Sequence, residues 1–205
     1  MDILDLLFSK SCLDCGDKGK YFCAECRPKI RKISQVCPVC SKPSPFGRTH
    51  SFCLTKFSLE GLFSFFAYGG IIREAIHKLK YKLVTDLEQE FWQLIKDEIG
   101  KREIEMTVLN QNLKKEKPTV VPIPLYWYKQ NLRGFNQSSL FGKRIACLFD
   151  LPFSERILVR EKNTVSQTKL TQKEREQNIK GIFSLVPNIL ISQHLNILLI
   201  DDVWT

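Results

Sequence analysis

The sequence predicts an α/β domain with a mostly parallel sheet, preceded by a small N-terminal metal-binding domain. Two observations favour this fold class. Seven of the eight cysteines lie within the first 53 of the 205 residues, and the rest of the chain alternates between short apolar stretches and amphipathic ones. We therefore expect residues 1–56 to form the first domain and residues 57–205 the second.

The cysteines of the first domain form pairs whose members are separated by two residues. Three Cys-x2-Cys pairs are followed by a His-x2-Cys pair, and this spacing lets both members of a pair bind one metal ion. Closed tetrahedral sites leave no position for water, so we expect two structural zinc ions rather than a catalytic one. The expected ligands are Cys12, Cys15, Cys23, Cys26, Cys37, Cys40, His50 and Cys53.

The pairing of these ligands has alternatives. Neighbouring pairs would share one ion, but the spacing also leaves an interleaved arrangement open, and the second site depends on His50. A disulfide framework would require an oxidising compartment, whereas the N-terminus MDILDLLFSK lacks the basic region of a signal peptide. No stretch approaches the roughly 20 apolar residues of a membrane span. We expect a cytoplasmic protein without membrane insertion, in which Cys147 is a buried core thiol.

The predicted elements before the sheet follow in order from residue 57. The aromatic-rich residues 57–68 favour a strand or hairpin. Residues 71–82 suit a short helix with a basic C-terminal end, and residues 85–99 have their apolar positions on one helix face. Residues 110–117 are polar and predict a loop.

The second domain continues with a short buried strand at residues 119–124, which its prolines end. Residues 131–136 predict a loop in which Asn136 is the N-cap of a helix at residues 137–149.

Two strands and a helix complete the prediction. A short strand is expected at residues 157–159 and a helix at residues 171–178. Residues 196–203 form a continuous apolar run that ends in two acids, which is typical of a fully buried parallel strand.

Charged side chains follow three of these strands. Lys129 and Arg133 follow the first strand, Arg160 follows the second, and Asp201-Asp202 ends the last. Ligands of parallel sheets bind beyond the carboxyl ends of the strands, so these residues are expected in one crevice. The carboxylates suit sugar hydroxyls or a Mg²⁺ ion shared with a phosphate, and the cations suit the phosphates. The alternative for the two acids is an ordinary strand-ending turn.

The net charge of +9 is concentrated in two blocks. Residues 1–56 carry 10 basic and 5 acidic side chains, and residues 129–180 carry 11 and 5. Such blocks attract polyanions, although a solvated basic surface is the alternative. The candidate nucleic-acid contacts of the first block are Arg27, Lys29, Arg31 and Lys32.

Several aromatic residues could stack on nucleic-acid bases, with core packing as the alternative. They are Phe46, Phe52, Tyr126, Trp127 and Tyr128.

These features together resemble the ComF family of competence-associated, phosphoribosyltransferase-like proteins. The cysteine pairs look like the zinc-ribbon domain of that family, and the resemblance covers nearly the whole chain. The other matching segments are Leu79-Lys80-Tyr81, the VPIPL of residues 121–125, the RGFNQ of residues 133–137, the spaced pattern of Arg160, Thr164, Gln167, Leu170, Arg175, Asn178, Gly181 and Phe183, and residues 198–205.

The resemblance implies a type I phosphoribosyltransferase-like fold behind a double zinc ribbon. It implies that Asp201, Asp202 and Thr205 bind phosphoribosyl pyrophosphate (PRPP) with Mg²⁺, and that Arg133 and Lys129 face its pyrophosphate. It also implies cytosolic handling of single-stranded DNA in natural transformation, alongside other DNA-uptake proteins. The alternatives are an active phosphoribosyltransferase with a base-like acceptor, or a zinc domain that serves only protein contacts.

Two departures from the family pattern bear on the candidate sites. His50 stands where the family more often has cysteine, which preserves a metal ligand. The family motif continues as DDxxTTGxT, whereas this sequence ends at Thr205, the first threonine of the phosphate-binding loop. We therefore expect a C-terminally incomplete phosphoribosyltransferase-like domain that is inactive in this 205-residue form.

Overall fold

The computed structural model describes residues 10–81, 85–164, 171–186 and 196–204. The chain forms two compact units. The first comprises Met1–Gln111 with Val203–Thr205, and the second comprises Asn112–Asp202. The domain boundary near residue 56 was placed from the cysteine pattern and stays a prediction.

The cysteine-rich part of the first unit is held by turns rather than by long strands. Its regular elements among the described residues are two 3-10 turns, Arg27–Lys29 and Pro45–Gly47. Single bridges close the loops, with Ser11 opposite Lys18 and Val36 opposite Pro43. So little regular secondary structure is typical of small modules in which metal binding supplies the free energy of folding.

The strand or hairpin predicted for residues 57–68 is wrong. This segment makes only single bridges, from Gly61 to Arg48 and from Phe66 to Lys32. Its aromatic residues Phe63, Phe65 and Phe66 serve packing instead, and the rings of Phe66 and Phe91 meet edge to face at 6.3 Å. Phe57, by contrast, is exposed.

Three helices follow, α1 (Gly70–Tyr81), α2 (Thr85–Lys101) and α3 (Glu103–Glu116). Helices α1 and α2 confirm the helices predicted at residues 71–82 and 85–99, of which residue 82 lies outside the described residues. The apolar faces of both helices are buried. The loop predicted for residues 110–117 is wrong, because these residues lie mainly in α3. Met106 and Leu113, two turns apart, are buried. Burial of these two side chains stabilises the helix, and the polar residues between them have helix propensities that permit it.

The second unit contains the sheet elements. In chain order they and the intervening helices are β1 (Thr119–Pro122), α4 (Trp127–Arg133), α5 (Gln137–Phe149), β2 (Leu158–Arg160), α6 (Gln172–Ile179), β3 (Phe183–Leu185) and β4 (Ile197–Ile200). Strands β1 and β4 pair in parallel, and β2 pairs antiparallel with β3. The parallel pair and the zinc-ribbon-like segment confirm the α/β fold class.

Helix α5 packs on the parallel pair, and two residues set its position. Gly142 lies so close to the sheet that an added Cβ would stand 3.0 Å from the Phe153 ring and 3.7 Å from Val120. Asn136 caps the helix as predicted, since its side chain accepts a hydrogen bond from the Ser138 amide. The predicted loop before it begins within α4, which Gly134 ends in a left-handed conformation at φ 76°.

Two burial predictions are wrong. Strand β4 is not fully buried, because Ile197 and Leu199 are 40% and 41% exposed among the described residues. The covered face of β4 packs against α5, whereas Ile197 and Leu199 alternate onto the other face. Cys147 is exposed rather than buried, because Ile145 and Ala146 already occupy the buried face of α5.

Candidate metal centres and strand-end site

The structure brings the first two cysteine pairs together. The Sγ atoms of Cys12, Cys15, Cys23 and Cys26 all lie within 4.8 Å of one another. Tetrahedral zinc with bonds of about 2.3 Å places its sulfur ligands about 3.8 Å apart, and the Cys15 and Cys23 sulfurs are 3.7 Å apart. The four residues therefore fit one zinc ion.

Tight turns orient these thiols. Gly16, with φ of +80°, closes the first turn by donating its amide hydrogen to the Cys12 carbonyl at 3.0 Å. The Cys26 amide donates to the Cys23 sulfur at 3.4 Å. Burial alone would raise the pKa of Cys12, but the amides of Cys23, Asp14 and Cys15 outweigh it and lower the pKa to about 6. The backbone amides thus favour the thiolate at Cys12, which is the form that binds metal.

The second centre joins the remaining two pairs. Cys37, Cys40, His50 and Cys53 place their ligand atoms within 4.8 Å of one another. The structure thus brings neighbouring pairs together, not interleaved ones. Burial would raise the pKa of Cys37, yet amides of this loop lower it to about 6.

The orientation of His50 suits a metal ligand. Its Nδ1 lies 3.4 Å from the Cys40 sulfur, and its Nε2 lies 3.3 Å from the Pro43 carbonyl oxygen. A hydrogen on Nε2 donated to this carbonyl leaves the Nδ1 lone pair facing the sulfurs. Such a hydrogen bond to the outer nitrogen is the usual support of a metal-bound histidine.

Three of the four predicted nucleic-acid contacts of the first block are engaged by acids of the same unit. Arg27 pairs with Asp97, Lys29 with Asp14 at 3.1 Å, and Lys32 with Glu98 at 3.5 Å.

These ion pairs have a structural role, because Asp97 and Glu98 belong to α2. They tie the cysteine-rich segment to that helix. Arg31 is exposed and pairs with no acid among the described residues.

A buried ionic contact reinforces the same attachment. Glu98 is 4% exposed, and its carboxylate accepts a hydrogen bond from Arg102 Nε at 2.8 Å. Arg102 also donates to the carbonyls of Ile33, at 3.5 Å, and Phe65, at 3.0 Å. One guanidinium therefore joins α2 to the backbone on both sides of the second metal loop.

In the second unit, the structure brings the predicted strand-end cations together. Lys129 donates to the Thr164 carbonyl at 3.0 Å, and Arg160 donates to the Thr164 hydroxyl. Burial lowers the pKa of Lys129, and the charges of Arg160 and Arg133 lower it further. We call Lys129, Arg133 and Arg160 the strand-end cations.

Asp201 belongs to the same neighbourhood. Burial lowers the pKa of Arg160, and the nearby Asp201 charge opposes that change. Asp201 also accepts hydrogen bonds from the Ser138 hydroxyl at 3.1 Å and from the Asp202 amide at 2.8 Å. The last contact belongs to a strand-ending turn, which is the alternative considered for the two acids, and their binding of sugar hydroxyls or Mg²⁺ stays a prediction. Thr205 lies outside the described residues.

Comparison with known proteins adds to this geometry. The model of the double zinc ribbon domain matches residues 3–54. Competence protein F of Haemophilus influenzae is 26% identical over 95% of this chain and 78% of its own length. DNA utilization protein YhgH of Salmonella typhimurium is 26% identical over 89% of this chain and 78% of its own. Competence protein ComFC of Bacillus subtilis is 27% identical over 89% of this chain and 72% of its own.

Similarity to competence protein F and ComFC over 95% and 89% of the chain supports the expected resemblance to the ComF family. The expected double zinc ribbon is confirmed by the domain match and by the two ligand clusters. No solved structure matches the chain with significance. Among the described residues, no helix has the length and apolar character needed to span a bilayer.

Sequence reasoning missed several residues that the structure places at the sites of this protein. Glu98 lies on α2 and Arg102 follows the end of that helix, and their separation by four positions suggests only a surface ion pair. Ser138 contacts Asp201 from 63 positions away. The only sequence feature that could have indicated this contact is the location of Ser138 in the first turn of the helix after the predicted N-cap, next to the strand ends.

Proposed function

We propose that this ComF-like protein handles single-stranded DNA in the cytoplasm during natural transformation, together with other DNA-uptake proteins. The observation that carries the proposal is agreement among relatives. Proteins named competence protein F, ComFC and DNA utilization protein align over 89% to 95% of the chain. The basic block at residues 1–56 supports it, because cations there would attract the phosphates.

The ion pairs of the zinc ribbon indicate which of its cations are most available to contact a phosphate. Lys29 already faces Asp14, so a phosphate would have to replace that carboxylate. Arg31 has no such acid among the described residues and is available at once. We therefore expect Arg31 to contribute more to DNA binding than Lys29, Arg27 or Lys32.

Titration of a labelled single-stranded oligonucleotide, followed by fluorescence anisotropy at increasing salt, tests the proposal. We expect micromolar or weaker affinity, which falls linearly with salt on a double-logarithmic plot by about 0.7 per phosphate contacted. Arg31→Ala should weaken binding several-fold more than the matched Lys29→Ala. Absence of binding by the intact chain at low salt would overturn the proposed function.

We propose a second function, PRPP binding, for the strand ends of the second unit. The observation that favours it is the gathering of three cations, of which Arg160 lies near Asp201. In addition, the Arg160 Nε is buried without a hydrogen-bond partner among the described residues, and an anionic ligand would supply one. Burial, and after it the repulsion from Arg160 and Arg133, lowers the pKa of Lys129, and a bound anion would relieve that repulsion.

The residues fit the groups of Mg²⁺-PRPP by their chemistry. Asp201 and Asp202 would hold the ribose hydroxyls and the Mg²⁺ ion, while Lys129 and Arg133 would hold the pyrophosphate. In a form that also contains the complete phosphate-binding loop, and with an acceptor base bound, these charges would stabilise departing pyrophosphate, which is electrostatic catalysis by preorganised groups.

Isothermal titration with Mg²⁺ and PRPP tests this second function. Binding that requires Mg²⁺ and is lost in Lys129→Ala would support it. Lys143→Ala is a matched control, because Lys143 lies in the same unit but pairs with Glu155 at 2.7 Å. Equal loss in both variants, or no binding at all, would contradict PRPP binding by this chain without affecting the DNA-binding proposal.

A further inference from the structure

Two consecutive turns of the second zinc module hold phenylalanine side chains almost fully in solvent. Phe52 is 80% exposed and Phe57 is 86% exposed. Large apolar rings this exposed do not stabilise the fold by burial. The turns that carry them are nevertheless well fixed, so the positions of the rings are defined by the structure.

The first turn is fixed by two metal ligands. His50 and Cys53 flank it, and the Cys53 amide donates to the His50 carbonyl at 2.8 Å. The Phe52 ring is stacked on the His50 imidazole, with centroids 5.0 Å apart and ring planes at 13°. One face of Phe52 is thereby supported.

The second turn, residues 55–58, is fixed by its own hydroxyl groups. The Thr55 amide donates to the Ser58 Oγ at 2.8 Å, and that hydroxyl donates to the Thr55 carbonyl at 3.0 Å. The Phe57 amide donates to the Thr55 Oγ1 at 3.2 Å. Lys56 and Phe57 are the two residues displayed at the tip of this turn.

Available cations lie in the same zinc module as the two rings, and one of them contacts a ring. The Lys56 Nζ lies 4.8 Å from the centre of the Phe57 ring. Lys56 and Lys42 are exposed, and neither forms an ion pair within the described part of the chain. This distinguishes them from Lys29 and Lys32, whose charges are opposed by acids.

Open aromatic faces beside available ammonium groups suit one class of ligand. In single-stranded nucleic acid, each nucleotide offers a base for stacking and a phosphate for a cation, and proteins that bind it without sequence preference combine these two contacts. A purely apolar protein partner would not use the lysines. Rigid presentation also reduces the entropy lost when the strand binds.

We propose that Phe52, Phe57, Lys42 and Lys56 form a base-stacking surface for single-stranded DNA on the second zinc module. This inference rests on the proposed DNA-binding function and names the surface that performs it. The two phenylalanines stack on bases, and the two lysines contact the adjoining phosphates.

Anisotropy titrations of the full zinc-loaded chain test the surface, using an oligothymidine and an abasic strand of equal length. Phe52→Ala and Phe57→Ala should each weaken oligothymidine binding about 5- to 100-fold. The preference for oligothymidine over the abasic strand should disappear in the double variant. Phe57→Trp should retain binding, because any aromatic ring can stack. Lys56→Ala should lower the salt slope by about 0.7.

The control is Ile104→Ala, which removes a side chain that is 77% exposed on α3 and lies outside the surface. It should bind both strands as the unmodified chain does. Zinc content is measured for every variant. If Phe52→Ala loses zinc, the test of the stacking surface depends on the Phe57 variants, because Phe57 lies outside the loop between His50 and Cys53.

The outcomes separate the inference from the function on which it rests. If the unmodified chain binds oligothymidine and both Phe57→Ala and the double variant bind equally well, the stacking surface is wrong and the proposed function stands. If the unmodified chain binds neither strand, the proposed function itself fails. If the phenylalanine variants lose affinity for both strands equally, the rings do not stack on bases and the inference is overturned.

Discussion

At the second metal centre, one imidazole replaces a thiolate without loss of the ligand geometry. The hydrogen bond from His50 Nε2 to the Pro43 carbonyl fixes which nitrogen faces Cys40. The neutral imidazole contributes no charge, so three thiolates and one histidine leave this centre one negative charge fewer than the four-cysteine centre. His50 is the ligand on which the count of two zinc ions depends.

His50→Ala should lower bound zinc from about two ions per chain to about one, because three thiolates alone leave an open coordination position. His50→Cys should retain about two ions, since thiolate is an accepted ligand in the same spacing. Elemental analysis of protein purified without chelators measures both values.

His77→Ala is the control, because His77 is exposed on α1 and belongs to neither ligand cluster. Retention of two ions by His50→Ala would show that His50 is not a ligand.

Individual residues differed in how far the sequence could predict them. The zinc ligands were predictable because metal binding imposes a local spacing, which is visible in a single stretch. The buried Glu98–Arg102 pair was not, because its burial depends on backbone carbonyls of residues 33 and 65 that approach only in the folded state. Cys147 was misjudged since an apolar run does not reveal which of its members face the sheet.

Among the turns and helices, the 3-10 turn Pro45–Gly47 imposes the strictest local requirement. Gly47 has φ of +69°, and a Cβ built there would stand 1.8 Å from the Leu62 carbonyl oxygen. That oxygen is part of the backbone and cannot rotate away. The Leu62 amide also donates to the Gly47 carbonyl at 2.9 Å, so these two backbone segments are in direct contact.

Gly47→Ala should therefore destabilise the second zinc module by more than the roughly 1–2 kcal/mol that a left-handed backbone alone costs a non-glycine residue. The contact with residues 61 and 62 has to open to make room for the methyl group. Urea unfolding of the zinc-loaded chain measures the change in the free energy of unfolding.

Gly16→Ala is the control that measures the cost of left-handed backbone strain without a steric clash, because Gly16 has φ of +80° with open space around its Cβ position. It should cost only about 1–2 kcal/mol. If the two variants unfold at the same urea concentration, the close approach at Gly47 does not contribute to stability.

Elements with strong hydrophobic periodicity were predictable from the sequence. Elements whose structure depends on contacts with distant segments of the chain were not. Helix α2 has a complete apolar face, so periodicity alone predicted it. Helix α3 has only Met106 and Leu113 as buried anchors, which left its C-terminal half with the composition of a loop. Residues 57–68 have the composition of a strand, but composition cannot show that no neighbouring strand is available for continuous pairing.

The molecule as a whole combines two ways of being stabilised. The cysteine-rich segment buries few large side chains and relies on metal ligands, whereas the second unit has apolar residues such as Val120 and Val121 fully buried in its sheet. The alternation of strands and helices predicted the α/β class because it reflects a global requirement to cover both faces of a parallel sheet. The incomplete cover of β4 could not be predicted from its own apolar sequence.

Zinc removal should consequently affect the two units differently. In small metal-binding modules the free energy of metal binding is free energy of folding, so a chelator should unfold the cysteine-rich segment. Helix α2 should then lose its ion pairs from Asp97 to Arg27 and from Glu98 to Lys32. Strand β1 is held by hydrogen bonds to β4 and from Val120 to Pro152, which need no metal.

Hydrogen exchange with and without chelator measures this difference residue by residue. The amides of Leu13 and Cys37, which bond to the carbonyls of Tyr21 and Lys42, should lose protection when zinc is removed. The amides of Val120 and Val121 should keep most of theirs. Re-addition of zinc should restore the first set, which excludes irreversible damage as the cause. If the β1 amides exchange as fast as those of the ribbon after chelation, the second unit depends on the metal sites for its stability. The division into a metal-stabilised part and a core-stabilised part would then be wrong.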